Sequence, residues 1–178
     1  FVYDAPVGVS DGPKPLAPGL YFTRLSQRLI RAISAPTAEG KLFNVDMRLR
    51  PSGNAGPIVT ALEGFLKYQR EIAWTWEHMA LTRARVIVAD DGLEHRIQSA
   101  IRDVLTRERD ACKLVSDVAN MRDRIAREHQ SDDPWVIKHY RGGLIDIEFI
   151  SQYLQLRHAA SHPSVLAVNT TDALSKLA

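Results

Sequence analysis

The stretch Lys41-Leu-Phe-Asn-Val-Asp-Met-Arg-Leu-Arg50 alternates apolar and polar side chains along almost its whole length. This period of two predicts a β-strand, because successive side chains of a strand point to opposite faces. The apolar face consists of Phe43, Val45, Met47 and Leu49, and the polar face of Asn44, Asp46, Arg48 and Arg50. Pro51 and Gly53 end the predicted strand and open a tight loop beside the arginines.

The polar face of this predicted strand suits an anionic ligand. A carboxylate such as Asp46 can hold Mg²⁺, and the planar guanidinium groups of Arg48 and Arg50 can grip phosphate oxygens bidentately. Ser52 and Gly53 lie just beyond, where a loop can offer backbone N–H groups to a phosphate. From spacing alone, a solvated strand face whose charges neutralise one another is an equally good interpretation.

Most of the remaining chain predicts α-helix. Apolar residues three and four apart predict a helix from Leu20 to Ile33, which ends before Pro36, and the same spacing dominates after about residue 58. We therefore predict an α+β chain that is predominantly helical, with a small β region around 41–50 and a helical bundle over 58–178. Further predictions are a turn at Asp132–Pro134, a short extended piece at Trp135–Lys138, a strongly apolar helix from about Leu144 to Arg157 and a short last helix capped by Thr171-Asp172.

Two other groups of polar residues have the spacing of a chemical site. Asp146 and Glu148 resemble an Asp-x-Asp metal pair, but residues two apart on a helix do not face each other. Acids in a first helical turn are better explained by the favourable charge at a helix amino end, and partner contact is the alternative. His158 and His162 have the spacing of a helical metal half-site, yet Pro163 follows at once and we see no third ligand.

Bulky and sulfur-containing side chains in the helical region favour structural roles. Trp74, Trp76 and Met79 could stack on a base, but large residues at helical spacing are more often part of a core. The only cysteine, Cys112, has no partner for an internal disulfide, and we predict a buried structural thiol.

Composition excludes two broad classes of function. The 178 residues carry 23 Lys and Arg against 21 Asp and Glu, a net charge of +2 that is too small for non-specific nucleic-acid binding. No apolar run approaches the roughly 20 residues that a membrane span needs, and we expect a cytoplasmic protein. The chain starts at Phe1 on an apolar, strand-like tripeptide, which suggests that it is part of a longer protein.

Several motifs occur together in a characteristic order. They are Val45-Asp-Met-Arg-Leu-Arg-Pro-Ser-Gly-Asn-Ala-Gly56, Tyr68-Gln69, Trp74-Thr-Trp-Glu-His78, Ala84-Arg85-Val86, Gly142-Gly-Leu-Ile-Asp-Ile-Glu-Phe149 and Gln152-Tyr153-Leu154. Together they closely resemble the glutamine synthetase adenylyltransferase family. Members of that family carry two nucleotidyltransferase domains, one that removes AMP from glutamine synthetase and one that attaches it. Trp74–His78 and Arg50-Pro-Ser-Gly53 resemble the attaching, carboxy-terminal domain.

The resemblance implies a partial nucleotidyltransferase-fold β region over 1–57, followed by a helical bundle domain over 58–178. It implies that Asp46 is the third metal-binding carboxylate and a catalytic residue, and that the phosphate-binding residues are Arg48, Arg50, Ser52 and Gly53. The implied cofactor is Mg²⁺ or Mn²⁺, and the implied substrates are ATP and a tyrosine of glutamine synthetase. A nitrogen-signalling regulatory protein is implied as a partner of the full-length enzyme.

The family's Asp-x-Asp pair is expected upstream of Phe1, so we expect the 178 residues alone to be inactive. The sequence departs from the family pattern at Asn44 and Ile72, where an acid is common. Two alternatives stay open: the adenylyl-removing half of the same enzyme, and a non-catalytic helical module for regulation or interaction. The alternating segment 41–50 argues against the helical module, which has no need of Asp46, Arg48 and Arg50 on one face.

Overall fold

The computed structural model describes residues 1–4, 7–129, 133 and 135–178. Over these residues the chain forms seven α-helices and four very short strands, which confirms the predicted α+β, predominantly helical class. It divides into two compact units, Phe1–Ala73 and Trp74–Ala178. None of the described helices combines the length and the apolar character needed to cross a membrane.

The first unit combines two helices with two small sheets. Its elements are β1 (Val2–Tyr3), α1 (Pro18–Ser34), β2 (Pro36–Thr37), β3 (Gly40–Lys41), β4 (Thr60–Ala61) and α2 (Leu62–Glu71). Strand β1 pairs with β4 in parallel, with Val2 opposite Thr60, and β2 pairs with β3 as an antiparallel hairpin. The parallel pair brings the start of the chain beside the segment that leads into α2.

Helix α1 confirms the prediction made from its apolar spacing and extends it by a few residues. Pro18 lies in the first turn, where its missing N–H removes no intrahelical hydrogen bond. The helix ends at Ser34, and Ala35 is extended because a residue before proline disfavours helical dihedrals. Its apolar stripe is partly exposed, since the side chains of Leu25 and Leu29 keep 49% and 45% of their surface.

The strand predicted over 41–50 is wrong beyond Lys41. The ladder of β3 stops there, and residues 42–47 continue without a strand partner among the described residues. A strand exists only where its N–H and C=O groups pair with a neighbour, and side-chain alternation does not provide that neighbour. The apolar face that we predicted to cover a core is also largely exposed, at 63% for Phe43 and 62% for Leu49.

The second unit contains five α-helices among the described residues. They are α3 (Thr75–Leu81), α4 (Asp91–Leu105), α5 (Ala111–Glu128), α6 (Leu144–His158) and α7 (Thr170–Leu177). Asp90 caps α4 by accepting from the N–H of Leu93 at 2.9 Å, and Asp110 caps α5 by accepting from that of Lys113 at 2.7 Å. The helices predicted after residue 58 are therefore confirmed, and the structure adds the side-chain caps of α4 and α5.

The core of the bundle joins residues from four segments. Met79, Leu105, Leu114 and Leu156 form one buried cluster, with exposed fractions between 1% and 4%. Burying each of these side chains contributes about 1.5–3 kcal/mol, so the cluster is the main reason why α3, α4, α5 and α6 pack together.

Three local predictions in this unit are wrong or incomplete. Met79 is in the core as predicted, but Trp76 is only half-buried and Trp74 is 70% exposed. Cys112 is exposed rather than buried, because it lies in the first turn of α5 on the side away from the core cluster. The cap of α7 is not Thr171-Asp172 but Asn169, whose Oδ1 accepts from the N–H groups of Thr171 and Asp172.

The connection before α6 also differs from its prediction. Residues 135–138 form turns rather than an extended piece, because the N–H groups of His139 and Tyr140 both donate to the carbonyl oxygen of Val136. Two of the three residues of the turn predicted at Asp132–Pro134, numbers 132 and 134, lie outside the described residues.

Candidate functional site

Asp46 and Arg48 form an exposed, self-contained ion pair. The Nη2 of Arg48 lies 2.7 Å from Oδ2 of Asp46, and its Nε lies 3.0 Å from both carboxylate oxygens. The backbone N–H of Arg48 also donates to Oδ1 of Asp46 at 2.9 Å. Asp46 therefore turns the chain through a local side-chain bond, which competes with extended strand structure.

This arrangement strongly favours the ionised form of the Asp46 carboxyl group. The hydrogen bond from the Arg48 side chain, and next the one from its backbone N–H, lower the pKa of Asp46 from 3.8 to about 2. The same side-chain bond raises the pKa of Arg48. Both groups are charged at neutral pH, and their side chains keep 55% and 77% of their surface exposed, so a ligand in solution can reach them.

Arg50 braces the loop that follows. Its Nη1 donates to the carbonyl oxygen of Met47 at 2.7 Å, its Nη2 to that of Asn54 at 3.1 Å and its Nε to that of Gly56 at 3.1 Å. These bonds hold three points of the segment Met47–Gly56, which we call the arginine loop. The alternation at 41–50 did not indicate this, because it placed Arg50 beside Arg48 on one face.

The arginine loop has a tight, specific backbone. Ser52 has a φ of 61°, which is uncommon for a residue other than glycine, and the next residue, Gly53, has a φ of 53°. The N–H of Gly53 donates to the carbonyl oxygen of Arg50 at 2.8 Å. A Cβ atom on Gly56 would lie 1.9 Å from the carbonyl oxygen of Pro51, so only glycine fits there.

The predicted site residues therefore lie close together in the chain but have different partners. Asp46 and Arg48 contact each other, Arg50 contacts loop carbonyls, and Ser52 and Gly53 shape the turn. Their assignment to metal and phosphate stays a prediction.

The described residues do not by themselves fit a divalent cation at Asp46. Both oxygens of this carboxylate accept hydrogen bonds from Arg48, whose positive charge opposes a second cation there. Asp46 is the sole acid between Lys41 and Ala61. In the part of the chain that the structure describes, no group of three or more His, Cys, Asp or Glu side chains is placed to hold a metal. Mg²⁺ needs a near-octahedral set of oxygen ligands, which a single paired carboxylate does not provide.

Asp146 lies in the first turn of α6, as predicted, but it also has a partner from another helix. Its Oδ1 accepts from Nε of Arg122 on α5, and its Oδ2 accepts from the N–H of Gly142. The side chains of Arg122 and Asp146 are only 16% and 20% exposed. The bond from Arg122 lowers the pKa of Asp146. This partly buried ion pair ties α5 to the start of α6, a structural role.

Glu148 has a weaker partner two residues further along α6. Its Oε1 accepts from Nη1 of Arg83 at 2.7 Å, and the two side chains are 39% and 49% exposed. Solvent screens such a pair, so its contribution to stability is about 0–1 kcal/mol. Asp146 and Glu148 therefore point to separate partners, and they do not converge on one site.

The histidines with helical metal spacing, His158 and His162, belong to no group of three or more possible metal ligands among the described residues. His158 is the last residue of α6, and Nδ1 of His162 lies 3.0 Å from the hydroxyl of Ser161. A different histidine pair, His129 and His139, stacks with ring centroids 4.0 Å apart. These two residues are ten positions apart in the chain, so no local spacing indicated their contact.

Comparisons with known proteins add a family context. Residues 1–100 match the model of a family described as Glutamate-ammonia ligase adenylyltransferase. Three curated proteins similar to the chain are each named a bifunctional glutamine synthetase adenylyltransferase/adenylyl-removing enzyme. The one from Rhodopseudomonas palustris (strain BisB5) is 53% identical over 169 residues, which cover 95% of this chain and 17% of that protein.

The other two relatives give the same picture. The Brucella suis protein is 57% identical over 154 residues, which cover 86% of this chain and 16% of that protein. The Rhizobium meliloti protein is 52% identical over 179 residues, which cover 98% of this chain and 18% of that protein. The chain therefore spans less than a fifth of the length of these curated relatives.

Proposed function

Because the chain belongs to the glutamate-ammonia ligase adenylyltransferase family, we propose that it is part of an enzyme that transfers AMP from ATP to a tyrosine of glutamine synthetase. The family match and the names of the similar proteins support the substrate. The observation that carries the site is the exposed Asp46–Arg48 pair beside the braced arginine loop. In this proposal the enzyme regulates nitrogen assimilation in the cytoplasm.

Arg48 is our proposed contact to the phosphates of ATP. Its side chain is 77% exposed, and among the described residues its guanidinium group pairs with Asp46, its neighbour two residues away. A triphosphate carries more negative charge than one carboxylate and accepts bidentate hydrogen bonds from the same planar group. ATP can therefore compete with Asp46 for Arg48, and binding would exchange one anionic partner for another.

Asp46 is our proposed catalytic residue, and the exchange at Arg48 changes its chemistry. While Arg48 holds it, a pKa of about 2 makes Asp46 a weak proton acceptor at neutral pH. Departure of Arg48 to a phosphate removes the main cause of that low pKa. Asp46 then becomes a better acceptor for the tyrosine proton, as the tyrosine oxygen forms a bond to the α-phosphorus and pyrophosphate leaves.

Arg50, Ser52 and Gly53 give this site its shape. Arg50 holds the carbonyl groups of the arginine loop, so the backbone around Ser52 and Gly53 is fixed before a ligand arrives. A preorganised loop loses less conformational freedom on binding than a mobile one. We propose that Ser52 contacts phosphate oxygens and that Gly53 shapes the turn, because the N–H of Gly53 already donates to the carbonyl oxygen of Arg50. Mg²⁺ or Mn²⁺ as cofactor stays a prediction from the family resemblance, because the described residues supply a single paired carboxylate.

The relatives' names include both attachment and removal of the adenylyl group, so the test must separate the two activities. We propose attachment, because Trp74–His78 and Arg50–Gly53 resemble the attaching half of the family. A chimera can test this, in which the present chain replaces the matching segment of the Brucella suis protein. One assay follows label from [α-³²P]ATP into purified glutamine synthetase, and the other follows loss of label from adenylylated glutamine synthetase.

The chimera should attach AMP, and Asp46→Asn should lower the rate by at least about 100-fold, the lower end of what a positioned acid–base group contributes. The matched control is Glu39→Gln, which neutralises an exposed acid in the turn of the β2–β3 hairpin. It should leave both activities unchanged. A chimera that only removes AMP would assign the chain to the removing half. An active Asp46→Asn variant would show that the active site lies elsewhere.

A further inference from the structure

Helix α6 has an unusual distribution of polar and apolar side chains. Towards the bundle it buries Ser151, Gln152 and Gln155, with exposed fractions of 9% or less. On its outer side it exposes Ile147 and Ile150, at 43% and 55%. Apolar side chains that lie together on an exposed surface mark a site of contact with a partner. The outer face of α6 therefore has the composition of a buried surface without being buried.

The neighbouring helix completes a groove beside that outer face. Val115 and Val118 of α5 form one wall, and Phe149, Ile150 and Tyr153 of α6 form the other. The groove has a volume of about 630 Å³. On both walls the lining residues are three or four positions apart, so each wall is a ridge of side chains of the kind that interlocks with a third helix.

The charges at the groove favour an acidic occupant. Three charged residues line it, and two of them, Arg122 and Asp146, neutralise each other as an ion pair. The third, Arg141, lies near enough to Asp146 to lower its pKa, and it makes no salt bridge among the described residues. One positive charge therefore remains at the end of the groove where α6 begins. A second copy of this chain would present the same positive charge, which disfavours pairing of two such grooves.

We propose that the α5–α6 groove binds an amphipathic α-helix of another polypeptide, whose apolar stripe packs on Ile150 and Phe149 and whose acidic side chain pairs with Arg141. This form of recognition buries an i, i+3, i+4, i+7 stripe between two helices. All the residues of this groove lie in the second unit, whereas the arginine loop lies in the first. Helix binding gives the second unit a role as a docking module.

Two synthetic peptides of 18 residues can test the proposal. Both carry leucine at i, i+3, i+4 and i+7, and they differ only in their flanking residues, which are glutamate in one and lysine in the other. Binding to the whole chain is measured by fluorescence anisotropy of the labelled peptide. The glutamate peptide should bind more tightly than the lysine peptide, because only its flanks match Arg141.

Variants of the chain connect that binding to the groove. Ile150→Asp should weaken binding of the glutamate peptide by about tenfold or more, because it places a charge in the apolar contact. Arg141→Glu should reverse the preference, so that the lysine peptide binds better. Both residues are exposed, so circular dichroism should show an unchanged helical signal. Val88→Asp is the matched control, since Val88 is 90% exposed and lies outside the groove, and it should leave binding unchanged.

Several results would overturn the proposal. The proposal is wrong if neither peptide binds. It is also wrong if both peptides bind with the same affinity and Ile150→Asp does not change that affinity. A third such result would come from sedimentation velocity on the chain alone. If the chain forms a dimer and Ile150→Asp dissociates it, the groove pairs with a second copy of the chain. A fourth such result would be that the chain binds neither peptide but binds anionic lipid vesicles. If Ile150→Asp abolishes that vesicle binding, the α5–α6 groove contacts a membrane surface.

Discussion

Replacing Asp146 with asparagine keeps the shape of the side chain but removes the negative charge that Arg122 pairs with. The two side chains are 20% and 16% exposed, so Arg122 would keep a positive charge in a largely desolvated place. Its Nη1 is already buried and has no hydrogen-bond partner among the described residues. Breaking a fully buried pair costs about 3–5 kcal/mol. With the remaining exposure taken into account, we expect Asp146→Asn to lower the free energy of unfolding by about 2–4 kcal/mol.

Urea denaturation followed by tryptophan fluorescence can measure this loss in the relevant unit. The chain has three tryptophans, and all of them lie in the unit Trp74–Ala178, so their signal reports on the helical bundle. The matched control is Glu148→Gln on the same helix, whose partner Arg83 is 49% exposed. It should change the free energy of unfolding by less than about 1 kcal/mol. Equal effects of the two substitutions would refute the role we assign to burial of the Arg122–Asp146 pair.

The pH dependence provides a second check on the same residue. The pKa of Asp146 is lower in the folded chain than its ordinary value of 3.8, chiefly because of the bond from Arg122. The stabilisation is therefore fully present above pH 3.8 and is lost as the pH falls through the lowered folded pKa. The difference between wild type and Asp146→Asn should be constant near neutral pH and should shrink below pH 4. In the chimera, Asp146→Asn should retain most AMP transfer, in contrast to Asp46→Asn.

Three further predictions follow from other parts of the chain. Gly56→Ala should destabilise the arginine loop by about 1–3 kcal/mol, because the added Cβ would meet the carbonyl oxygen of Pro51. Hydrogen exchange of the Gly53 amide should therefore become faster. The control Gly12→Ala should not have this effect, because a Cβ there meets no atom within 4 Å. The 178 residues alone should not transfer AMP to glutamine synthetase, and label incorporated from [α-³²P]ATP would contradict this. Cys112 should react fully with a thiol reagent in the native chain, because it is exposed; a thiol that reacts only in urea would contradict the structure.

The helices were predictable because the signal for them is local. Apolar residues three and four apart place one stripe on a helix, and that stripe can be buried whatever it packs against. The helices at 18–34 and 144–158 therefore match their predictions within two residues at each end. The motifs around Arg50 and Trp74 also indicated the family, and the comparisons confirm it.

The segment 41–50 shows the limit of the same reasoning for strands. Its alternation is a property of the sequence, but a strand also needs a hydrogen-bonded neighbour, which alternation does not specify. Without one among the described residues, Asp46 bonds to Arg48, and Arg50 bonds to the carbonyl groups of its own loop. The site residues proposed from the sequence stay a prediction, and the contacts that these residues make were not predicted.

Burial and ion pairing depended on the tertiary structure. Trp74 and Met79 belong to the same aromatic-rich segment, yet one is 70% exposed and the other 2%. Arg122 and Asp146 are 24 residues apart, and they meet because α5 packs against α6. The sequence by itself determined which residues are helical and which family the chain resembles, since both depend on neighbours along the chain. The tertiary structure decided which faces are buried and which charges are paired, because those contacts join residues that no local pattern relates.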